Sequence, residues 1–220
     1  TSNLGANVTT TGTQTYTGAT TLSGGDRTLT GSTVNFGNTV TGTASHDLII
    51  TGNLDLDGAL TDVVDLSVSG TSNLGANVTT SGTQTYTGAV TLSAATVTLT
   101  TTDSDVTFGS TIDSDAGQTR HLTIDTNGTT GTIQFGGMVG NTDGLGAIVI
   151  TGNLDLDANI VGAASLSVSG TSNLGANVTT SGNQTYTGDV TLSVNTALTT
   201  TSNGSIYFGG TIDGGYTLDI

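Results

Sequence analysis

The sequence predicts an all-β chain wound as a parallel β-helix (β-solenoid) of about ten coils of roughly 20–22 residues each. Three observations carry that expectation. A segment recurs almost unchanged: TSNLGANVTTTGTQTYTGATTLS at 1–23, TSNLGANVTTSGTQTYTGAVTLS at 71–93 and TSNLGANVTTSGNQTYTGDVTLS at 171–193. Copies this close predict a stack of one structural unit. The composition is that of strands and turns: Thr is the commonest residue, 34 residues are Gly, and Pro, Cys and Trp are absent. β-Branched residues suit a pleated surface, and Gly, Asn and Asp suit tight turns. Finally, apolar and polar residues alternate in short runs, each followed by Gly, Asn, Asp or Ser, and no stretch holds a helical apolar period.

A second shared phrase sets the register. ITGNLDLD stands at 50–57 and 150–157, followed by LSVSG at 66–70 and 166–170. Residues 1–70 therefore read as one long repeat, 71–170 as another and 171–220 as the start of a third, all within a single continuous solenoid, 1–220. The middle repeat is the longer of the two complete ones. Its excess lies around 122–147, LTIDTNGTTGTIQFGGMVGNTDGLGA, and predicts an added coil or slightly more. Thr1 corresponds to Thr71 in mid-array, and Ile220 stands inside a strand-like run, so the chain is expected to be a piece of a longer protein.

Parity assigns the faces. Tyr86, Gly88, Val90 and Leu92 share the inward parity, and Thr85, Thr87, Ala89 and Thr91 the outward one. Similar inward pairs are Leu54–Leu56, Leu66–Val68, Val97–Leu99, Val106–Phe108, Leu122–Ile124, Ile133–Phe135 and Ile148–Ile150. Differences between the copies agree with this assignment. Thr83 becomes Asn183 and Ala89 becomes Asp189 on the outward parity, while the inward change, Thr20 to Val90, preserves shape. A buried, unpaired Asp would cost several kcal/mol. Tyr16 and Phe36, Tyr86 and Phe108, and Tyr186 and Phe208 are spaced by one such coil, so each Phe is expected one rung above its Tyr. At about 4.8 Å per rung the rod would be on the order of 50 Å long. Its terminal rungs invite end-to-end pairing with copies of the chain or with adjoining repeats.

Charge narrows the partners. The net charge is −15, all 17 acidic residues are Asp, and Arg27 and Arg120 are the only Lys or Arg. Phosphate contacts need such cations, so nucleic acid and anionic membrane surfaces are not expected partners. No apolar run approaches the roughly 20 residues of a membrane span. Without Cys there is neither a disulfide nor thiol chemistry.

The phrases LTIDTNGTTGTIQFGGMVGNTDGLGAIVITG (122–152) and NQTYTGDVTLSVNTALTTTSNGSIYFGGTIDG (183–214) resemble the repeats of giant filamentous-haemagglutinin-like proteins. The resemblance covers essentially the whole chain. It implies a right-handed parallel β-helix shaft in a secreted bacterial adhesin, extracellular or at the bacterial cell surface, with adhesion to a host or neighbouring cell or matrix formation as its role.

Several residue groups carry possible chemistry. Asp55 and Asp57, repeated as Asp155 and Asp157, both point outward and are the candidate calcium ligands, because hard cations take clustered carboxylates. Asp103 with Asp105 and Asp113 with Asp115 form two further pairs. The plainer reading of all of them is solvated surface. His121 beside Arg120, and His46 beside Asp47, each precede a strand and suggest a recurrent turn rather than a catalytic pair. Outward Thr83, Thr85 and Thr87 would suit an ice-binding face only if like rows shared one column over many rungs. Asn73 and Asn77, with their copies at 3, 7, 173 and 177, are candidates for amide ladders at turns. The sequence thus predicts a structural shaft rather than an enzyme, with a calcium-, glycan- or ice-binding face as the alternative.

Overall fold

A computed structural model describes residues 1–43 and 45–220. Among these residues there is no helix. Short parallel strands stack into a β-solenoid of about 11 turns, against about ten expected. Every coil contributes one short parallel segment to each of three faces. Face A begins with Ser2–Leu4, which is overlain by Thr20–Leu22 and then by Val40–Thr41. Face B begins with Val8–Thr9 beneath Leu29, and face C with Gln14–Tyr16 beneath Val34–Phe36. The strands Arg27–Phe36 and Leu48–Leu56 run around the corner from face B to face C.

The inward pairs read from the sequence are buried, all seven of them. Each sits on its equivalent one coil below: Leu122 on Val97, Ile148 on Leu122, Leu166 on Ile148. The aromatic expectation also holds. Tyr16 stacks on Phe36 with ring centroids 5.3 Å apart, Tyr86 on Phe108 at 5.4 Å, and Tyr186 on Phe208 at 5.4 Å. Phe135 extends the middle stack at 5.6 Å from Phe108. Offset contacts of this kind strengthen the lumen beyond the area they bury.

Coil length varies more than the aromatic spacing suggests. One coil runs from Leu54 to its partner Ser72, whereas the coil from Val106 to its partner Ile133 is half as long again. The short coils consist of three six-residue units. In 71–93 the inward residues Ser72, Val78, Gln84 and Val90 fall six apart, as do Leu74, Thr80, Tyr86 and Leu92. Each unit gives one face and one corner. An even length keeps parity through the corner, which is why Tyr86 and Val90 both point inward on successive faces. Gly88 keeps the inward parity but serves the corner between them rather than the lumen. A Cβ on Gly88 would lie 2.4 Å from the Gly70 carbonyl oxygen, which accepts the Gly88 N–H.

The three copies do not stand above one another. SNL lies on face A at Ser2–Leu4, on face C at Ser72–Leu74 and on face B at Ser172–Leu174. QTY lies on face C at Gln14–Tyr16, on face B at Gln84–Tyr86 and on face A at Gln184–Tyr186. Each long repeat advances the chain by a whole number of coils plus two-thirds, so each copy falls one face behind its predecessor. The longer middle repeat adds one full coil, Leu122 to Ile148, and leaves that offset unchanged. Six-residue units are interchangeable among the faces because each presents two inward side chains at the same spacing.

Candidate functional site

Corners are where polar side chains converge. The residues just before the face B strands form one column, and wherever Asp or Asn stands there its side-chain oxygen accepts the backbone N–H of the equivalent residue one coil up. Asp47 N–H donates to Asp26 Oδ1 (3.1 Å), Asp65 N–H to Asp47 Oδ1 (3.2 Å) and Thr83 N–H to Asp65 Oδ1 (2.5 Å). Higher up, Thr132, Thr171 and Thr211 donate likewise to Asp105, Asn153 and Asp189 at 2.8–3.0 Å. The same device recurs around the rod. Asn7, Asn77 and Asn177, each just before a Val strand on a different face, accept from Thr28, Thr98 and Ala197 at 2.8–3.0 Å. A corner N–H has no partner within its own coil, so an Asn or Asp there satisfies a donor that would otherwise be left to water. The expected amide ladders do not form at Asn77 and its copies: the three lie on different faces, and each Oδ1 accepts a backbone N–H from a residue that is not Asn. Asn73 differs: its amide reaches an Asp on the coil below.

That contact involves a calcium candidate. Asp55 lies outward on face C between two amides: Asn35 Nδ2 donates to Oδ2 (2.5 Å) and Asn73 Nδ2 to Oδ1 (2.9 Å). Asp155 lies on face B and accepts from Asn173 Nδ2 at 2.8 Å. Asp157 is exposed and accepts from Gln134 Nε2 at 2.7 Å; Asp57 is exposed at the corner after Leu56. The two pairs therefore occupy different faces and sit about five coils apart, since the repeats that carry them are offset by a face. Among the described residues no three His, Cys, Asp or Glu side chains gather as a metal cluster. Surface grooves are open and shallow; one of about 340 Å³ runs past Asp55, Asn53 and Asn73.

The remaining acidic pairs are also engaged. Asp103 accepts the N–H groups of Thr130 (2.8 Å) and Gly131 (3.2 Å), and the Thr130 bond above all holds its carboxyl below the ordinary range. Asp113 accepts from Thr142 N–H at 2.8 Å. Asp115 takes two bonds from Arg120, Nε to Oδ1 at 2.5 Å and Nη2 to Oδ2 at 2.9 Å, and this contact lowers the carboxyl pKa. Arg27, the other cation, is buried and donates to the carbonyls of Leu4 (2.8 Å), Gly5 (3.0 Å) and Ser23, tying its coil to the one below. The two arginines therefore play unrelated structural parts. Asp47 and His121 share an acceptor role at a corner: each accepts from the next coil, Asp47 from Asp65 N–H and His121 Nδ1 from Ala147 N–H at 2.9 Å.

Compared with protein-family models, curated proteins and solved structures, the chain matches none. It is a parallel β-solenoid repeat protein. Sequence reasoning overlooked one buried polar set in this solenoid. Gln84 is fully buried; its Nε2 donates to the Thr100 carbonyl at 3.0 Å and its Oε1 accepts from Tyr86 Oη at 3.0 Å. The same triads recur at Gln14–Tyr16 and Gln184–Tyr186. Burial pushes the Tyr86 and Tyr186 phenols far above the ordinary tyrosine range. Gln84 shares its parity with Tyr86, and a polar residue on an inward parity was the available signal. The set fills the lumen without opening to solvent, so it organises structure rather than binding a ligand.

Proposed function

We propose that this chain is a shaft segment of a secreted or cell-surface bacterial fibre or adhesin, and that its function is mechanical: a stiff extracellular rod that serves adhesion or matrix formation. The filamentous-haemagglutinin-like repeats that the sequence resembles would wind it right-handed. One observation carries the reading. Near-identical copies step back one face per long repeat while the lumen stays continuous. A binding face needs its residues in one column; a spacer needs only its interior in register. The repeated QTY row illustrates this, since Thr15, Thr85 and Thr185 point outward from three different faces, whereas the Thr21–Thr41–Thr61 column on face A spans only a few coils. No catalytic step is assigned. The net charge of −15 keeps neighbouring shafts apart and soluble. Adjoining repeats would continue the stack end to end through unpaired terminal strands.

Single-molecule stretching of the full chain between terminal handles tests this. A shaft unravels in repeated steps of about one coil, each lost when its neighbour is lost. Unfolding at negligible force would sink the mechanical role. Saturable binding to a glycan array, thermal hysteresis in cold solution, or a calcium-dependent melting shift lost on Asp55→Asn would replace it with a binding face.

A further inference from the structure

We propose that His121 is a proton-operated clasp between the seventh and eighth coils, which makes this junction the acid-sensitive point of the rod. Asn and Asp oxygens act as corner acceptors elsewhere, as at Asn7, Asn77, Asn177 and Asp47. An amide oxygen cannot be protonated in water near neutrality, and a carboxylate stays an acceptor down to strongly acidic pH. Here the acceptor is an imidazole nitrogen. His121 Nδ1 receives the Ala147 N–H at 2.9 Å, which requires the neutral ring with its proton on Nε2.

The ring is also a lid. It lies over buried Gly146, where a Cβ would come within 2.7 Å of Nδ1. Protonation removes the lone pair and sets one N–H against another, so the ring must turn away and expose Gly146 and Ala147. Two excursions of the chain, 115–120 and 140–144, end at this corner. They are joined to each other by Gly117 N–H on Asp143 Oδ1 (3.0 Å), and Ser114, the last residue of the strand before the first excursion, donates its hydroxyl to the Gly144 carbonyl in the second (2.9 Å). Releasing the clasp leaves the Gly146 N–H bond to the Arg120 carbonyl (2.7 Å) to hold the corner at which both excursions return to the sheet.

The surroundings do not counter the change. The strand below, Thr96–Thr100, and the strand above, Leu145–Thr151, carry no titratable side chain. Asp125 lies at the far end of the strand that His121 begins. In the excursions, Arg120 is turned to Asp115, and Asp143 is held by Gly117.

Amide hydrogen exchange on the full chain tests the clasp at about pH 8 and about pH 5, a window that spans ordinary imidazole protonation but leaves ordinary carboxylates ionised. After correction for intrinsic exchange, the protection of Ala147 falls on the order of tenfold at the lower pH. Thr28 and Thr98, whose acceptors are Asn7 and Asn77, keep theirs. In His121→Asn the amide oxygen takes over and Ala147 protection no longer depends on pH. Unchanged Ala147 protection in the natural chain overturns the proposal, as does an equal fall in His121→Asn or at Thr28 and Thr98. Nitrogen chemical shifts of the ring give a reading without any variant: a proton on Nδ1 at about pH 8 also overturns it.

Discussion

Replacing Gln84 by Leu removes a buried amide with two close partners, besides longer contacts from Nε2 to the Val78 carbonyl (3.4 Å) and Thr80 Oγ1 (3.3 Å). Its Nε2 answers the Thr100 carbonyl at 3.0 Å and its Oε1 answers the Tyr86 hydroxyl at 3.0 Å. Leu is one atom shorter than Gln but branched and no smaller in volume, so the cavity term is small and the loss is mainly polar. Each orphaned group inside the lumen costs about 1–3 kcal/mol, which predicts about 2–4 kcal/mol for Gln84→Leu. Tyr86→Phe alone leaves only Gln84 Oε1 without its donor, at about 1–2 kcal/mol. In the double variant the hydroxyl and its acceptor disappear together and the Thr100 carbonyl alone is orphaned. The double variant should therefore be more stable than the sum of the singles implies, by about 2–4 kcal/mol, because both the hydroxyl and Oε1 cease to be orphaned. Urea unfolding gives the cycle, and amide exchange at the fourth to sixth coils localises it, because neighbouring coils carry most of the coupling in a solenoid. Additivity within about 0.5 kcal/mol would mean that the triad is not a connected unit.

Other outcomes follow from the same interior. Ser72 Oγ is buried without a partner between Leu54 and Val90, so Ser72→Ala should stabilise the rod by about 1 kcal/mol in urea unfolding. The Tyr86 and Tyr186 phenols are held protonated in the fold, whereas an unfolded chain releases such protons near pH 10. Their contribution is complete below that pH and is lost as pH rises further towards the folded-state values. Melting temperature should therefore fall above about pH 10, and Tyr86→Phe with Tyr186→Phe should flatten the fall. Deleting residues 72–77, one unit, moves all later strands back one face and leaves their mutual stacking intact, so circular dichroism should still show a folded β rod. Deleting 72–74 breaks parity at the junction and should abolish cooperative unfolding of the coils beside it.

Much of the fold was legible because the lumen imposes a rule that leaves marks in the sequence. Leu122–Ile124 and Ile148–Ile150 betray their faces through parity, and Tyr86 with Phe108 betrays a coil through spacing. The rotation between copies was harder to see. The coil from Leu54 to Ser72 is much shorter than the coil from Val106 to Ile133, so the length of a long repeat does not convert directly into turns. The regular spacing of Ser72, Val78, Gln84 and Val90 holds the answer, yet it emerges only if Gln84 is counted as inward, against its polarity. For the carboxylates, the sequence reveals outward placement but not the partner. Asp65 reads as a solvated charge until the Thr83 N–H, distant in sequence but one coil away in space, is seen to point at it.

That distinction bears on function. Of the four calcium candidates, Asp55, Asp155 and Asp157 brace one coil against the next, and the corner Asp and Asn residues hold backbone N–H groups. Binding an ion at Asp55 would take its two oxygens from the amides of Asn35 and Asn73. Using Asp26, Asp47 or Asp65 in that way would return a corner N–H to water at each coil. Each exchange trades an existing charge-assisted bond for a new one, so the net gain is small unless several carboxylates converge. The copies step from face to face, which keeps repeated carboxylates apart: Asp55 and Asp155 occupy the same place in the repeat but different sides of the rod. A surface that spends its acceptors on its own backbone and scatters its copies around the axis favours stiffness over recognition. His121 is the exception, because the bond it gives the next coil is one that a proton can take away.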